Sequence, residues 1–212
     1  MFTGDEWADG GAYIASVLKQ QGIPASFFFT GRFYRNEQFK GLIRRLRNEG
    51  HYLGAHSDAH LLYNDWTLRD SVLISRDSFT RDLQRNYAAM ARHGIKKEEA
   101  HYFLPPYEWY NDTIARWTKA LDLQLVNYTP GTLSHADYTT HEMKNYRSSA
   151  TIFNSIQDYE QRARSGLNGF ILLLHVGTDP ARTDKFYRQL PALLQWLRKK
   201  GYRPVRINDL LH

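Results

Sequence analysis

Two histidines, His56 and His60, stand four residues apart in the stretch Gly54–His60, where an apolar run ends. At this spacing one helical turn would place both imidazole rings on the same side. Neutral imidazole is the commonest side-chain metal ligand, and a catalytic zinc ion usually has three protein ligands and one position open for water. The pair therefore predicts a metal site that needs a third ligand, although such a pair also arises by chance on a solvated helix face.

Other residues that could do chemistry follow predicted strands. The chain begins with what reads as the end of a strand, and two adjacent carboxylates come next. The residues that directly follow strands are Asp5, Glu6, His56, Pro106 and His175. Because the carboxyl ends of parallel strands meet at one edge of a sheet, we expect these residues to share that edge.

The apolar periodicity of the chain alternates between strand and helix. Buried strands are predicted at 25–31, 52–55, 101–103, 124–127 and 169–175. Helices are predicted at 13–18, 39–46, 69–93, 111–121, 152–163 and 190–197. The polar segment 129–149 has little periodicity and is predicted to be a long surface loop. This alternation predicts an α/β fold with a parallel sheet and outer helices, and a deformed parallel (β/α) barrel fits the length.

Composition limits the classes of protein that this chain can belong to. With 212 residues, 42% of them hydrophobic, the chain is predicted to form a single domain over residues 1–212. There is no cysteine, so a metal would have to be held by histidine and carboxylate. No signal peptide and no span of about twenty apolar residues is recognisable, which predicts a soluble polypeptide with no membrane partner. The abrupt start predicts that the chain either begins inside its first strand or is a domain of a larger protein.

The chain is basic, with a formal net charge of +6. Its Lys and Arg residues are scattered along predicted helices such as 42–47 and 193–200. A nucleic-acid-binding domain would instead present a clustered basic stripe. We therefore expect no nucleic-acid partner and interpret the charge as solvated helix surface.

Several motifs together resemble the polysaccharide deacetylase family, the carbohydrate esterases that share the NodB homology domain. Thr3-Gly4-Asp5-Glu6 corresponds to the family's Thr-Phe-Asp-Asp, and His56-Ser57-Asp58-Ala59-His60 matches its His-Ser/Thr-x-x-His in full. Leu173-Leu174-His175 meets the late Leu-Leu-His motif, and the segments 22–28 and 49–54 look like those that flank the motifs. The resemblance covers residues 2–211 and implies the deformed barrel of that family.

The resemblance also implies a role for each matching residue. Glu6, His56 and His60 would hold one divalent metal ion, for which the resemblance implies zinc, with Glu6 where the family has aspartate. Asp5 would be the general base, and His175 the general acid that protonates the departing group. The backbone N–H of Tyr107 would help to stabilise the oxyanion. Metal-assisted deacetylation requires these four roles: metal ligand, general base, general acid and oxyanion donor.

Each of these residues also has a simpler interpretation. Asp5 and Glu6 could be a carboxylate pair that complements a helix N-terminus. His175 could be a core histidine satisfied by a backbone carbonyl. Pro105 and Pro106 could form only a rigid turn.

The chain departs from the family at two motifs. Where the family has Arg-Pro-Pro-Tyr-Gly, it has Leu104-Pro105-Pro106-Tyr107-Glu108, so the arginine that orients the catalytic aspartate is missing. No Asp-Trp motif is recognisable, and Asp137 is a candidate for the carboxylate that tunes His175. Glu108 could add a carboxylate to the pocket. Trp109 is predicted either to line the substrate cleft or to pack the helix that starts near Asn111 onto the sheet.

These observations predict a metal-dependent hydrolase that removes N- or O-acetyl groups from a poly- or oligosaccharide. An extracellular or periplasmic location is favoured by that class of substrate. The alternative is a non-catalytic relative in which the same pocket binds a glycan or a metal without turnover, as the missing arginine suggests.

Overall fold

The computed structural model describes residues 1–211 and divides them into two compact units. The first unit contains Met1–Ala25 and the chain from Tyr128 onward, and the second unit is Ser26–Asn127. The prediction of a single domain over residues 1–212 includes His212, which lies outside the described residues, and it stays a prediction. Among residues 1–211, no helix is both long and apolar enough to cross a membrane.

The elements alternate between strand and helix, as the sequence predicts. The strands are β1 (Phe2–Gly4), β2 (Ser26–Phe29), β3 (Tyr52–Ala55), β4 (Tyr102–Phe103), β5 (Gln124–Leu125) and β6 (Leu174–His175). The helices are α1 (Gly11–Gln21), α2 (Gly31–Arg35), α3 (Lys40–Asn48), α4 (Arg76–Ala91), α5 (Asp112–Lys119), α6 (Ser149–Arg162), α7 (Leu190–Lys199) and α8 (Ile207–Leu210). Short 3-10 helices occupy Glu37–Phe39, Lys97–Glu99, Pro106–Glu108, Ser134–Tyr138 and Phe186–Gln189.

Side-chain caps explain where several helices begin. Ser75 accepts a hydrogen bond from Ser78 N–H at the start of α4, and Asn111 accepts one from Ile114 N–H at the start of α5. Ser148 caps α6 in the same way through Thr151 N–H. Such a cap satisfies one of the backbone donors that the first turn of a helix leaves unpaired.

Every strand pairing within a unit is parallel. In the second unit β2 pairs with β3, β3 with β4 and β4 with β5. In the first unit β1 pairs with β6 in the register Thr3 to His175. Parallel strands of this kind are buried on both faces, which explains why Phe27, Phe28 and Phe29 in β2 are fully buried.

Three parts of the chain differ from the sequence prediction. The helix predicted at 69–93 begins only at Arg76, because residues 63–73 form a closed loop in which Asn64 and Val72 form an antiparallel bridge. The segment predicted as a long surface loop contains buried residues, among them Asp137 and Thr139. The apolar run 169–175 forms a strand only at Leu174–His175.

Candidate active site

The first unit places three of the predicted residues at one strand edge. Thr3 of β1 is in register with His175 of β6, and β1 ends at Gly4. Asp5 and Glu6 follow directly, so they lie at the same carboxyl edge of this strand pair as His175. Asp5 is half-buried and Glu6 is exposed.

His175 is held by the carboxylate of Asp137. One carboxylate oxygen accepts a hydrogen bond from His175 N–H at 2.8 Å, and the other lies 2.6 Å from the ring atom Nδ1. An ionised carboxylate can only accept, so Nδ1 carries a proton and donates it to Asp137. Asp137 is buried and lies in the 3-10 helix Ser134–Tyr138. The prediction that Asp137 partners His175 is thereby supported by a direct contact.

His135, two residues before Asp137, is a histidine that the sequence analysis did not single out. Its ring stacks on Tyr128 with centroids 4.8 Å apart. Within residues 1–211, its buried Nδ1 has no hydrogen-bond partner. Burial lowers the pKa of His135, an effect partly opposed by the charge of Asp137 and reinforced by His175. A low pKa keeps this imidazole neutral in the folded protein.

The second unit brings His56 and His60 together. The two ring centroids are 5.0 Å apart in an edge-to-face arrangement. The backbone here is not helical, which corrects the expectation of one helical turn. Ser57 and His60 both have positive φ, at 69° and 54°. The two imidazole rings are therefore close together, as the four-residue spacing predicted, but a tight turn and not a helical turn brings them there.

A backbone carbonyl fixes the tautomer of His56. Its Nδ1 lies 2.9 Å from Leu104 O. Because a carbonyl oxygen can only accept, Nδ1 must carry the proton, and the lone pair is on Nε2. A metal-binding histidine typically donates its second ring N–H to such an acceptor. The backbone of Leu104, which supplies this carbonyl, is itself held in place because its N–H donates a hydrogen bond to Ala55 O at the end of β3.

Two residues of α4 hold the histidine turn, and neither was predicted from the sequence. Asn86 accepts a hydrogen bond from His56 N–H at 3.0 Å and donates to Phe29 O. Asp82 accepts from Asp58 N–H, Ala59 N–H and the hydroxyl of Tyr63. Both side chains are buried. Their spacing of four residues on one helix face was the only signal that the sequence offered for them.

Asp58, which lies between the two histidines, points away from them. Its carboxylate pairs with the guanidinium of Arg35, with Arg35 Nη2 at 3.2 Å from Oδ2. A Cβ atom on Gly31 would lie 1.8 Å from Asp58 Oδ1. The first residue of α2 must therefore be glycine for this buried carboxylate to fit.

The predicted oxyanion group, Tyr107, has an unusual backbone conformation. Tyr107 and Glu108 have φ values of 58° and 53°, in the left-handed region that most residues avoid. In the part of the chain that the structure describes, the Tyr107 N–H has no hydrogen-bond acceptor. Its ring lies against His60, with centroids 4.4 Å apart. Sparsely populated backbone conformations of this kind cluster at functional sites.

Trp109 is half-buried and packs against the 63–73 loop. Its indole N–H donates to Asp65 O at 3.1 Å, and Arg69 lies over its ring at 4.4 Å. Glu108 O accepts a hydrogen bond from Asn127. The sequence analysis did not identify Trp66, whose ring lies 5.3 Å from Tyr107 and 5.8 Å from Trp109.

The donors of the second unit suit a divalent metal ion of the zinc type. Zinc binds neutral imidazole, and the tautomer of His56 presents the nitrogen that such an ion needs. Among residues 1–211, the structure contains no ready-made group of three or more His, Asp or Glu side chains. The assignment of Glu6 as the third ligand therefore stays a prediction.

Comparison with known proteins identifies the family. The profile of the polysaccharide deacetylase family matches residues 4–126, and the chain belongs to this family. The peptidoglycan-N-acetylmuramic acid deacetylase PdaA of Bacillus subtilis is 25% identical over 201 residues, which are 93% of this chain and 65% of that protein. The chain thus spans slightly less than two thirds of PdaA. The chitin deacetylase of Colletotrichum lindemuthianum is 26% identical over 204 residues, 93% of this chain and 73% of that protein.

Solved structures show the same fold. The structure of Bacillus subtilis PdaA, a family 4 carbohydrate esterase, matches with a TM-score of 0.72 at 23% identity, covering 99% of this chain and 78% of the other. Wild-type BA3943 from Bacillus anthracis, a pseudoenzyme of the same family, matches with a TM-score of 0.69 at 17% identity, covering 100% and 65%. The predictions of family and of a deformed parallel α/β fold are confirmed.

Proposed function

We propose that this protein removes acetyl groups from an acetylated poly- or oligosaccharide by metal-dependent hydrolysis. The observation that carries the proposal is the histidine turn. His56 Nδ1 faces Leu104 O and His60 lies beside His56. The ring of Tyr107, whose N–H has no acceptor within residues 1–211, contacts His60. Two of the relatives named above are a peptidoglycan-N-acetylmuramic acid deacetylase and a chitin deacetylase. An extracellular or periplasmic site of action follows from such substrates.

In this proposal His56 and His60 hold the ion, with Glu6 as the third ligand. When bound, the ion would supply Lewis acidity, which would lower the pKa of a water molecule and polarise a carbonyl group. Asp5 accepts the proton of the attacking water, and the Tyr107 N–H donates a hydrogen bond to the carbonyl oxygen as negative charge develops there. His175, oriented by Asp137 and protonated at both ring nitrogens, gives its Nε2 proton to the departing amine or alkoxide and keeps the Nδ1 proton that faces Asp137.

Acetate release from an acetylated oligosaccharide tests this function. We expect release that a chelator abolishes and zinc restores. Asp5→Asn should keep the metal yet lower kcat by about 10²- to 10⁴-fold, the usual contribution of a general base. His56→Ala should lose the metal itself, as measured by elemental analysis. As a control, Asp77→Asn changes an exposed carboxylate of α4 and should alter neither quantity.

The result for Asp5 also distinguishes the roles of the two carboxylates. If Asp5→Asn loses the metal and regains its full rate on reconstitution with zinc, Asp5 is a ligand and the roles of Asp5 and Glu6 are reversed. If His56→Ala retains the ion at full occupancy, the ligand assignment is wrong.

A second candidate function is binding without turnover. It is favoured by Leu104, which stands where the family has the arginine that orients the catalytic aspartate. Leu104 is fully buried, so a buried hydrocarbon side chain occupies this position. Binding of an acetylated oligosaccharide at full metal occupancy, with no acetate released, would establish this second function.

A further inference from the structure

We propose that Lys185 is a positioning residue that fixes the proposed general base Asp5 relative to the proposed general acid His175. It does so by holding the loop 5–10, which follows β1, against the loop 176–185, which follows β6. Both loops lie in the first unit. This inference rests on the proposed function, because it concerns the base and the acid of that reaction.

The ammonium group of Lys185 contacts both loops. It donates hydrogen bonds to Thr178 O and Thr178 Oγ1, both at 2.9 Å, and to Asp179 O at 3.0 Å. A lysine ammonium has three N–H donors, so these bonds to the loop 176–185 use all of them. Its charge faces Asp9 of the other loop, whose Oδ2 lies 3.1 Å from Nζ. We call this arrangement of Asp9, Thr178, Asp179 and Lys185 the Lys185 clamp.

Asp9 joins the two loops a second time. Its Oδ1 accepts a hydrogen bond from Thr178 N–H at 2.9 Å, and its Oδ2 accepts one from the hydroxyl of Tyr187 at 3.2 Å. The side chain of Lys185 is 10% exposed, whereas that of Asp9 is 39% exposed. A partly exposed ion pair contributes little by itself. The hydrogen bonds therefore give the clamp its fixed geometry.

The backbones of the two loops are in direct contact beside the clamp. Gly10 N–H donates a hydrogen bond to Val176 O at 3.0 Å. A Cβ atom on Gly177 would lie 2.4 Å from the carbonyl carbon of Trp7. Such a close approach requires a residue without a side chain, so position 177 must be glycine.

Sheet pairing joins the same two segments at their other end. Thr3 is in register with His175, and Thr3 O accepts a hydrogen bond from Val176 N–H at 2.8 Å. Asp5 therefore lies between two points of attachment, the pairing at Thr3 and the clamp at Asp9. A base and an acid that act on one bond need a fixed separation, and a displacement of about 1 Å can lower the rate by about 10²-fold. The clamp is the second attachment that this separation needs.

A cavity beside the clamp allows Lys185 to be replaced by a small molecule. The cavity has a volume of about 440 Å³ and is lined by Trp7, Asp9, Thr178 and Lys185, among others. The atoms that Lys185→Ala removes correspond to n-propylammonium, which carries the same N–H donors. Tetramethylammonium has the same charge but no N–H donor, so it is the matched control cation.

The first measurement is kcat for acetate release from an N-acetylglucosamine tetramer, with zinc in excess. We expect Lys185→Ala to lower kcat by about tenfold to a hundredfold with KM unchanged, because the reacting groups are displaced while contacts with the substrate remain. Added n-propylammonium chloride should restore most of kcat, and tetramethylammonium chloride at the same ionic strength should not. Lys199→Ala removes an exposed lysine of α7 and should behave as wild type.

The second measurement is amide hydrogen exchange, which requires no activity. In Lys185→Ala the N–H groups of Gly10 and Thr178 should exchange about tenfold to a hundredfold faster, because hydrogen bonds to a charged group no longer hold the two loops together. The N–H groups of Leu174 and Val176, which are bonded within the pair of β1 and β6, should keep their protection. Added n-propylammonium should slow the exchange of Gly10 and Thr178 again.

Thr178→Val tests the same clamp if Lys185→Ala does not fold. It keeps the lysine and removes only the acceptor Oγ1. We expect kcat to fall in the same way but by a smaller factor, with faster exchange of the Gly10 N–H.

Failure of this inference is distinguishable from failure of the proposed function. The inference is wrong if both variants keep the kcat of wild type. It is also wrong if Lys185→Ala speeds exchange at Leu174 and Val176 and n-propylammonium restores nothing, because Lys185 then stabilises the unit as a whole. If wild type releases no acetate but exchange at Gly10 and Thr178 responds as expected, the clamp is supported and the hydrolytic function is wrong.

Discussion

At the scale of single residues, His56 and His175 are oriented by the same kind of hydrogen bond. His56 and His175 each direct Nδ1 at a fixed acceptor, a backbone carbonyl in one case and the carboxylate of Asp137 in the other. In both rings Nδ1 therefore carries a proton. The acceptors differ in charge, and this difference matches the proposed roles. A neutral carbonyl suits a neutral metal ligand, whereas a carboxylate stabilises the positive charge of an imidazole that must donate a proton.

Asp137→Asn tests the residue-scale argument. The variant keeps the size of the side chain but loses the charge and one of the two acceptor oxygens. We expect kcat for acetate release to fall by at most the 10²- to 10⁴-fold that a general acid contributes, with KM and zinc content unchanged. Steady-state kinetics and elemental analysis measure these quantities.

A matched control for this variant is Asp179→Asn, which changes an exposed carboxylate of the same unit and retains an acceptor oxygen for Ala181 N–H. It should behave as wild type. If Asp137→Asn keeps the full kcat, then Asp137 supports only the fold around His175, and the proposed acid lies elsewhere.

At the scale of elements, the chemistry resides in loops that strands and helices hold in place. The histidine turn follows β3 and is supported from the side by Asp82 and Asn86 of α4. Four residues separate these two, so one face of the helix contacts successive parts of the turn. Positive φ at Ser57 and His60 makes the turn costly in isolation. Its conformation therefore depends on the helix.

We expect Asp82→Asn to loosen the turn, because an amide cannot accept from Asp58 N–H, Ala59 N–H and Tyr63 OH together. Zinc affinity should fall by about tenfold to a hundredfold, the usual effect of changing a residue that orients a metal ligand. Competition titration against a chelating dye measures it. Gln84→Ala, on the exposed face of α4, is the control. A lower melting temperature with unchanged zinc affinity would show that Asp82 supports the fold only.

At the scale of the whole molecule, His135 makes the stability depend on pH. Burial, the largest effect, lowers its pKa below the ordinary value of 6.5. Between the two pKa values the unfolded chain binds a proton that the folded protein does not. The contribution of His135 to stability is therefore complete above about pH 6.5 and is lost as the pH falls below that value.

Thermal melts at pH 8 and pH 5.5 test this dependence. His135→Phe retains a ring that can stack on Tyr128 and removes the titration, so the difference in melting temperature between the two pH values should narrow. Because the buried Nδ1 has no partner within residues 1–211, the variant should be no less stable than wild type at pH 8. An undiminished difference would mean that other groups cause the acid sensitivity.

The sequence alone predicted most elements and the identity of the family. Local periodicity determines the alternation of strands and helices, and the cap at Asn111 depends on a residue three positions away. The motifs around Asp5, His56, His60 and His175 needed only spacing and order along the chain. These motifs could therefore be recognised in a sequence that is only about 25% identical to its relatives.

The tertiary structure decided which residues surround those motifs. Asp137 is 38 positions from His175, and Asp82 is 23 positions from Ala59. Such contacts arise from packing between distant segments, which local periodicity does not encode. The same holds for the 63–73 loop, where the pattern suggested a helix but bonds to Trp109 and Asn111 select a closed loop instead. Lys185 became a candidate positioning residue only once the fold had placed it beside Asp9 and Thr178, because its neighbours are properties of the folded chain.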